Sequence, residues 1–190
     1  MGAAFYAFVI VAVLVAAVSA IASAQDAGAL AGWTDGEIRR TSSPATHTTD
    51  VFVAVLPPCT NGRPTLTLRA TFRGSEPTIA PASIEVRANI GASPNPTFRW
   101  TRTLTFVVDS GTRETASIDL SPGLHAPLQP AVTPGELLDT GVAAMSLPDF
   151  VQLLTAKAVT VDVLGLTCRL NSSEIEALRR FAAQVLPARH

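Results

Sequence analysis

Alternating hydrophobic and polar residues dominate the middle of the chain. Residues 51–56 are apolar on both faces, which is typical of a central strand that is covered on each side. Residues 66–73 and 84–90 carry apolar side chains at every second position. Each of these two segments therefore predicts an antiparallel strand with one face in the core.

A hairpin is predicted next, because residues 97–108 and 115–120 alternate in the same way on either side of an Asp-Ser-Gly turn sequence. The periodicity then disappears over residues 121–145, which contain four prolines and three glycines. A segment of this composition predicts a long proline-rich loop. Loops of such length usually carry a function or are disordered.

Residues 146–187 predict a helix, a hairpin and a second helix. Ser146 followed by Asp149 is typical of the start of a helix. Alternating valines and a glycine turn then indicate two short strands. Ser173 with Glu176 has the spacing of a capping box, which predicts the start of the second helix.

These elements together predict an α+β domain. It would be an antiparallel sheet or small sandwich of six to eight strands, with two C-terminal helices packed on one face and an apolar helix at the N-terminus. The domain is expected to cover residues 49–190. A polar segment at residues 25–48 is interpreted as a linker or arm, because it is rich in glycine, serine and threonine.

The N-terminus contains no charged side chain from Ala3 to Ala24. This segment ends in an Ala-Ser-Ala sequence typical of a peptidase site, so residues 1–24 are interpreted as a signal peptide. The same apolar run is long enough to span a bilayer, and an uncleaved membrane anchor formed by residues 3–24 is the alternative. In the anchored case Trp33 is expected at the membrane interface. Both interpretations predict export to the periplasm or another extracytoplasmic space.

Cys59 and Cys168 are the only cysteines in the sequence. An even number of cysteines in an exported protein favours a disulfide, so the two are predicted to be bonded. Two separate buried thiols are the alternative.

Charge is balanced and scattered, with 14 basic and 15 acidic residues. A nucleic-acid partner is therefore not expected, because binding to a polyanion requires clustered cations. Abundant alanine, proline and arginine, with Lys157 as the single lysine, indicate a GC-rich bacterial source.

No motif for catalysis, nucleotide binding or metal coordination stands out in the sequence. The histidines are His47, His125 and His190, and His47 has the one close acidic neighbour, Asp50. A metal site needs three or four convergent ligands, and no G-x-S-x-G sequence indicates a serine hydrolase. No catalytic residue, metal or cofactor is therefore expected.

The predicted function is that of a non-enzymatic exported domain that acts by protein–protein contact. It would be a periplasmic binding or scaffold protein, or an accessory subunit of a larger membrane complex. The alternatives are a secreted hydrolase with a scattered active site, in which His125 would be the base, and a carrier of a small apolar ligand.

The proline-rich loop at residues 121–145 is the expected contact surface. Its apolar residues are unusual for a solvated loop, and its prolines favour an extended backbone that is less costly to order on binding. Packing of this loop over an open face of the sheet is the alternative. The candidate contact residues are Leu124, Leu128, Val132, Leu137, Leu138, Val142 and Met145.

Overall fold

A computed structural model of the chain describes residues 33–60, 64–90, 103–111, 115–125 and 139–187. Within these ranges it contains nine strands, two α-helices and one turn of 3₁₀ helix. The strands are β1 (Ile38–Ser43), β2 (Thr48–Val55), β3 (Pro64–Arg73), β4 (Ser83–Ile90), β5 (Leu104–Asp109), β6 (Thr115–Asp119), β7 (Asp139–Ser146), β8 (Ala158–Val163) and β9 (Leu166–Leu170). The helices are α1 (Leu147–Leu154) and α2 (Ser172–Val185), and the 3₁₀ turn is Ser121–Gly123.

The nine strands form two antiparallel sheets. One has five strands in the order β1-β2-β3-β4-β7, and the other has four in the order β6-β5-β8-β9. The α+β class and the predicted hairpins β5–β6 and β8–β9 are confirmed. The strand count is higher than the predicted six to eight, because β1 and β7 were not expected.

The two unexpected strands lack the large alternating side chains that mark a strand in a sequence. β1 lies within residues 25–48, which were interpreted as a linker, and its residues are exposed or half-buried because it is an edge strand. β7 lies, except for Ser146, within residues 121–145, which were predicted to be a loop, and it is built mostly from small residues. Both strands are held by continuous backbone pairing, to β2 and β4 respectively.

One hydrophobic core is shared by both sheets and both helices. Alternate residues of β3 and β4 point into it, as their periodicity predicts, with Leu66, Ile84 and Val86 fully buried. Phe150 of α1 and Phe181 of α2 also lie in this core. Their rings meet edge to face with centroids 5.8 Å apart, a favourable geometry for aromatic pairs.

The two helices begin with polar caps. Ser146 caps α1, where its hydroxyl accepts the backbone N–H of Asp149 at 3.2 Å, as predicted. The capping box of α2 consists of Asn171 and Glu174, and the prediction of Ser173 with Glu176 is wrong. Strand β9 ends at Leu170, so Asn171 is the first residue in position to cap the helix, and asparagine caps as well as serine.

Cys59 and Cys168 form a disulfide, with their Cα atoms 4.4 Å apart. This confirms the predicted pairing. Cys59 lies in the connection after β2 and Cys168 lies on β9, so the bond joins this connection to an edge strand of the four-stranded sheet.

Residues 1–24 lie outside the described residues, and so does the apolar helix predicted there. In the part of the chain that the structure describes, no helix has the length and hydrophobicity needed to cross a membrane. Trp33 is half-buried, and its predicted place at a membrane interface stays a prediction.

Removing the disulfide is expected to destabilise the domain. Replacing both cysteines by alanine should lower the free energy of unfolding by about 4 kcal/mol, because the bond restricts a long loop of the unfolded chain. Urea denaturation of the oxidised wild type and the double variant measures this difference. Each single variant should lose as much as the double variant, since either one removes the bond. A loss below about 1 kcal/mol would contradict this assignment.

Candidate functional site

Charged side chains cross the outward face of the five-stranded sheet. Arg69 of β3 binds Asp50 of β2 through two hydrogen bonds of 3.1 and 3.0 Å, from its Nε and Nη2. Its Nη1 lies 3.9 Å from Glu85 of β4, and Glu85 lies 3.4 Å from Arg87. These four residues are called the ion-pair network below. Their alternating charges compensate one another on a half-exposed surface.

Arg69 is held in this network from several sides. Its guanidinium carbon lies 5.5 Å from the centre of the Phe52 ring, within the range of a cation–π contact. The hydroxyl of Thr71 also donates to Asp50, the carboxylate that binds Arg69. Because Arg69 is held by both Asp50 and the Phe52 ring, the ion-pair network is an ordered part of the sheet surface.

A groove with a volume of about 620 Å³ borders the ion-pair network. Arg69 and Glu85 contribute to its lining from β3 and β4. Small residues make up much of the rest, among them Ser83 of β4, Ala144 of β7 and Gly123 of the 3₁₀ turn. Small side chains leave the backbone of β7 accessible from this side.

β7 is an edge strand, and its outer side is paired at one position within the described part of the chain. There the N–H of His125 donates to the carbonyl of Val142 at 2.8 Å, and the N–H of Val142 donates back at 2.7 Å. The pairing of β7 with β4 runs without interruption from Ser146 to Asp139. Backbone groups alternate in direction along such a strand, so those of Ala144 point outward like those of Val142.

Among the described residues, the 3₁₀ turn does not pair with Ala144 on this outer side. Continuing the antiparallel pair of His125 and Val142 would place Gly123 opposite Ala144. The N–H of Gly123 instead donates to the carbonyl of Leu120 at 3.1 Å, within the turn. The chain therefore joins the edge only at His125, and Gly123 does not pair with Ala144.

Asp119 stabilises the turn that produces this opening. Its carboxylate accepts the backbone N–H of Ser121 at 3.0 Å. Hydrogen bonds from Ser121, first from its side chain and then from its backbone, lower the pKa of Asp119 from its usual value. The carboxylate is therefore ionised at neutral pH, the form that accepts these hydrogen bonds.

Ala144 and Ser146 thus carry outward backbone groups for which the described part of the chain provides no hydrogen-bond partner, a stretch that we call the edge gap. It consists of the N–H and carbonyl of Ala144 and the N–H of Ser146. In this register the N–H of Ser146 also points away from β4. The carbonyl of Ser146 belongs to the first turn of α1, which begins at Leu147. Ala144 and Ser146 are both exposed.

Two of the predicted contact residues are buried. Leu124 is 7% exposed and Met145 is fully buried, so neither presents a surface to a partner. Met145 points inward because it alternates with Ala144 along β7. Leu124 packs against Gly141, where a Cβ atom would come within 2.7 Å of the leucine side chain.

The remaining predicted contact residues have different positions. Val142 is half-buried and lines the groove. Leu128, Val132, Leu137 and Leu138 lie outside the described residues.

The described histidines lie in different parts of the fold. His47 is in the turn between β1 and β2 with a positive φ of 52°, and His125 is exposed in the groove lining. Asp50, the acidic neighbour of His47 in the sequence, binds Arg69 instead. Among the described residues, no group of three His, Cys, Asp or Glu side chains could hold a metal ion.

Glu174 is unusual for a charged residue, because it is fully buried. One oxygen accepts the backbone N–H of Asn171 at 2.6 Å, and the other has no hydrogen-bond partner among the described residues. Burial raises the pKa of Glu174, and the negative charge of Asp35 acts in the same direction, while the Asn171 hydrogen bond opposes it. Capping of α2 accounts for the position of Glu174.

Comparison of the chain with models of protein families, with curated proteins and with solved structures found no match in any of the three.

Proline substitutions test the direction of the backbone groups in β7. Ala144→Pro is expected to cost less than about 1 kcal/mol, because an outward N–H contributes nothing to pairing with β4. Ala143→Pro should cost about 2–3 kcal/mol, because it removes a hydrogen bond to β4 inside the sheet. Chemical denaturation of both variants measures the difference. Similar losses in the two variants would show that the assigned direction is wrong.

Proposed function

We propose that this chain is an exported, non-enzymatic domain that binds another protein through the groove beside β7. The observation that carries the proposal is the groove of about 620 Å³, which opens onto a sheet edge that the described chain leaves partly unpaired. Exposed sheet edges are surfaces to which other polypeptides bind. Natural proteins usually cover such edges unless they use them.

Export is proposed on two grounds. The uncharged segment from Ala3 to Ala24 has the features of a signal peptide or an anchor. The disulfide between Cys59 and Cys168 is compatible with an oxidising compartment, where such bonds persist. The domain would be periplasmic or extracytoplasmic, either free after cleavage near Ala24 or held by residues 3–24. In the anchored form the partner would belong to an integral membrane complex.

The contact surface is proposed to include the apolar residues that follow His125 in the sequence. His125 pairs with β7, and Asp139 begins β7, so the intervening segment starts and ends at the same sheet edge. Leu128, Val132, Leu137 and Leu138 lie in this segment. Apolar residues in a segment with these two ends suit a protein partner, because interface cores are apolar.

A secreted hydrolase is the second candidate, and one observation favours it. Ser83 and His125 both line the groove, and these residue types can act as nucleophile and base. Within the described residues no hydrogen bond joins the two side chains. His125→Gln separates the two functions, because it would abolish hydrolysis and leave protein binding in place.

Serine substitutions test the proposed contact surface. Changing Leu128, Val132, Leu137 and Leu138 together to serine should abolish recovery of the cross-linked partner from native membranes. The stability of the domain should change by no more than about 0.5 kcal/mol per site. Chemical cross-linking in the source cells, followed by mass spectrometry and a urea titration, measures both quantities.

Ile79 and Val151 provide the control, because they are 80% and 41% exposed and lie outside the segment between His125 and Asp139. Their double change to serine should leave partner recovery intact. Equal recovery from the quadruple variant and the wild type would contradict the proposal. A sharp loss of stability would also contradict it, since the four residues would then pack over the sheet.

A further inference from the structure

We propose that residues 34–37 and Glu174 form a proton-dependent contact, which holds the start of the domain more firmly against α2 when Glu174 is protonated. Residues 34–37 precede β1 and are called the junction below, because in the sequence they join the domain to residues 1–33. Protonation of one buried group can act in this way when a segment of the fold responds to its charge. The inference is independent of the partner that the domain binds.

Backbone hydrogen bonds attach the junction to the end of β2. The N–H of Gly36 donates to the carbonyl of Ala54 at 2.8 Å. The N–H of Leu56 donates to the carboxylate of Asp35 at 3.0 Å. The junction is therefore a defined part of the fold, and the state of its attachment can be followed at the amide of Gly36.

The other side of the junction lies on α2. Arg180 donates to the carbonyl of Gly36 at 3.4 Å, and a Cβ atom at Gly36 would lie 3.2 Å from the Cβ of Ala177. Glu174, Ala177 and Arg180 are three residues apart, so they share one face of the helix. The junction therefore crosses the face of α2 that carries Glu174. The negative charge of Asp35, the neighbour of Gly36, acts on the Glu174 carboxyl.

The described charged groups near α2 do not compensate an ionised Glu174. Arg179 donates to two backbone carbonyls at the end of α1, and Arg180 donates to the junction. β2 and α1 pack on α2 and carry one charged residue each. Asp50 of β2 belongs to the ion-pair network, and Asp149 of α1 accepts the hydroxyl of the helix cap. The charge that reaches Glu174 is that of Asp35, which is also negative.

Proton binding relieves the cost of this arrangement. One carboxyl oxygen of Glu174 is buried without a hydrogen-bond partner among the described residues, which is unfavourable for an ionised group. Burial raises the pKa of Glu174 above its usual value of 4.5, the Asn171 hydrogen bond opposes this shift, and Asp35 adds to it. Because the pKa is higher in the folded than in the unfolded chain, protonation stabilises the fold. This contribution is complete below pH 4.5 and is lost as pH rises through the raised pKa.

The coupling acts on the junction as well, because linkage is reciprocal. If Asp35 increases the proton affinity of Glu174, protonation of Glu174 must favour the attached position of Asp35 by the same factor. Ionised Glu174 repels Asp35 and weakens the attachment of the junction to α2. The junction is therefore expected to be held more firmly as pH falls through the raised pKa of Glu174.

The turn within the junction keeps its own charge over this pH range. Glu37 accepts the Nε–H of Arg39 at 2.6 Å and the N–H of Thr34 at 2.9 Å. The Arg39 hydrogen bond and then the Thr34 hydrogen bond lower the pKa of Glu37 to about 2. A change in the junction between pH 4.5 and neutral pH therefore cannot come from Glu37.

Hydrogen exchange at the Gly36 amide tests the inference on the oxidised full-length protein, labelled with ¹⁵N. After correction for the intrinsic exchange rate, the protection of Gly36 relative to Val161 of β8 should rise about fivefold between about pH 7.5 and about pH 5. Glu174→Gln resembles the protonated form, and glutamine can also complete the capping box. This variant should show the high relative protection at both pH values.

Two further variants separate the Glu174 contact from other effects of pH. Glu176→Gln is the matched control, because Glu176 is exposed on the same helix, and it should retain the wild-type pH dependence. Asp35→Asn removes the charge and keeps an oxygen that can accept the Leu56 N–H. It should lower the pKa of Glu174, measured from the ¹³C shift of its carboxyl, and reduce the pH dependence at Gly36 about twofold or more.

Three results would overturn the inference. One is the same pH dependence at Gly36 in Glu174→Gln as in the wild type. Another is an unchanged Glu174 pKa in Asp35→Asn. The third is an equal rise in protection at Gly36 and Val161 of the wild type, which would show that the proton stabilises the whole fold without acting on the junction. If Glu174→Gln does not fold, the wild-type profile and Asp35→Asn still decide the question.

Discussion

Every backbone N–H and carbonyl in a sheet needs a hydrogen-bond partner, and at an edge that partner must come from water or another chain. This requirement gives β7 its importance. Its inner side is paired with β4 along its whole length, whereas His125 fills one position of its outer side. The 3₁₀ turn, which precedes His125, keeps Gly123 from pairing with Ala144, so the edge gap and one wall of the groove arise from the same turn.

The register of β7 links this edge to the core. A shift by one residue would bring Ala144 into the core and move Met145, which is fully buried, to the surface. The same register places Gly141 beneath Leu124, which packs against it and holds the segment that ends at His125. The open position at Ala144 is therefore maintained by core packing on the opposite face of the strand.

The sequence predicts the elements whose side chains differ strongly between their two faces. β3 and β4 have large alternating residues, Ser146 has the spacing of a cap, and two cysteines in an exported chain favour a disulfide. β1 and β7 could not be predicted in this way, because β1 is an exposed edge strand and β7 is made mostly of small residues. Backbone pairing holds both strands in their sheet. The edge gap depends on the direction of backbone groups at Ala144, which follows from register and is independent of residue type.

Native-state hydrogen exchange of the β7 amides tests the central claim most directly, because it reports the partner of each N–H separately. The amides of Ala143 and Met145 should be protected by their bonds to β4, and that of Val142 by its bond to His125. The amide of Ala144 should exchange about a thousandfold faster than that of Ala143. Protection of Ala144 equal to that of Ala143 would show that the edge is already paired and would contradict the account.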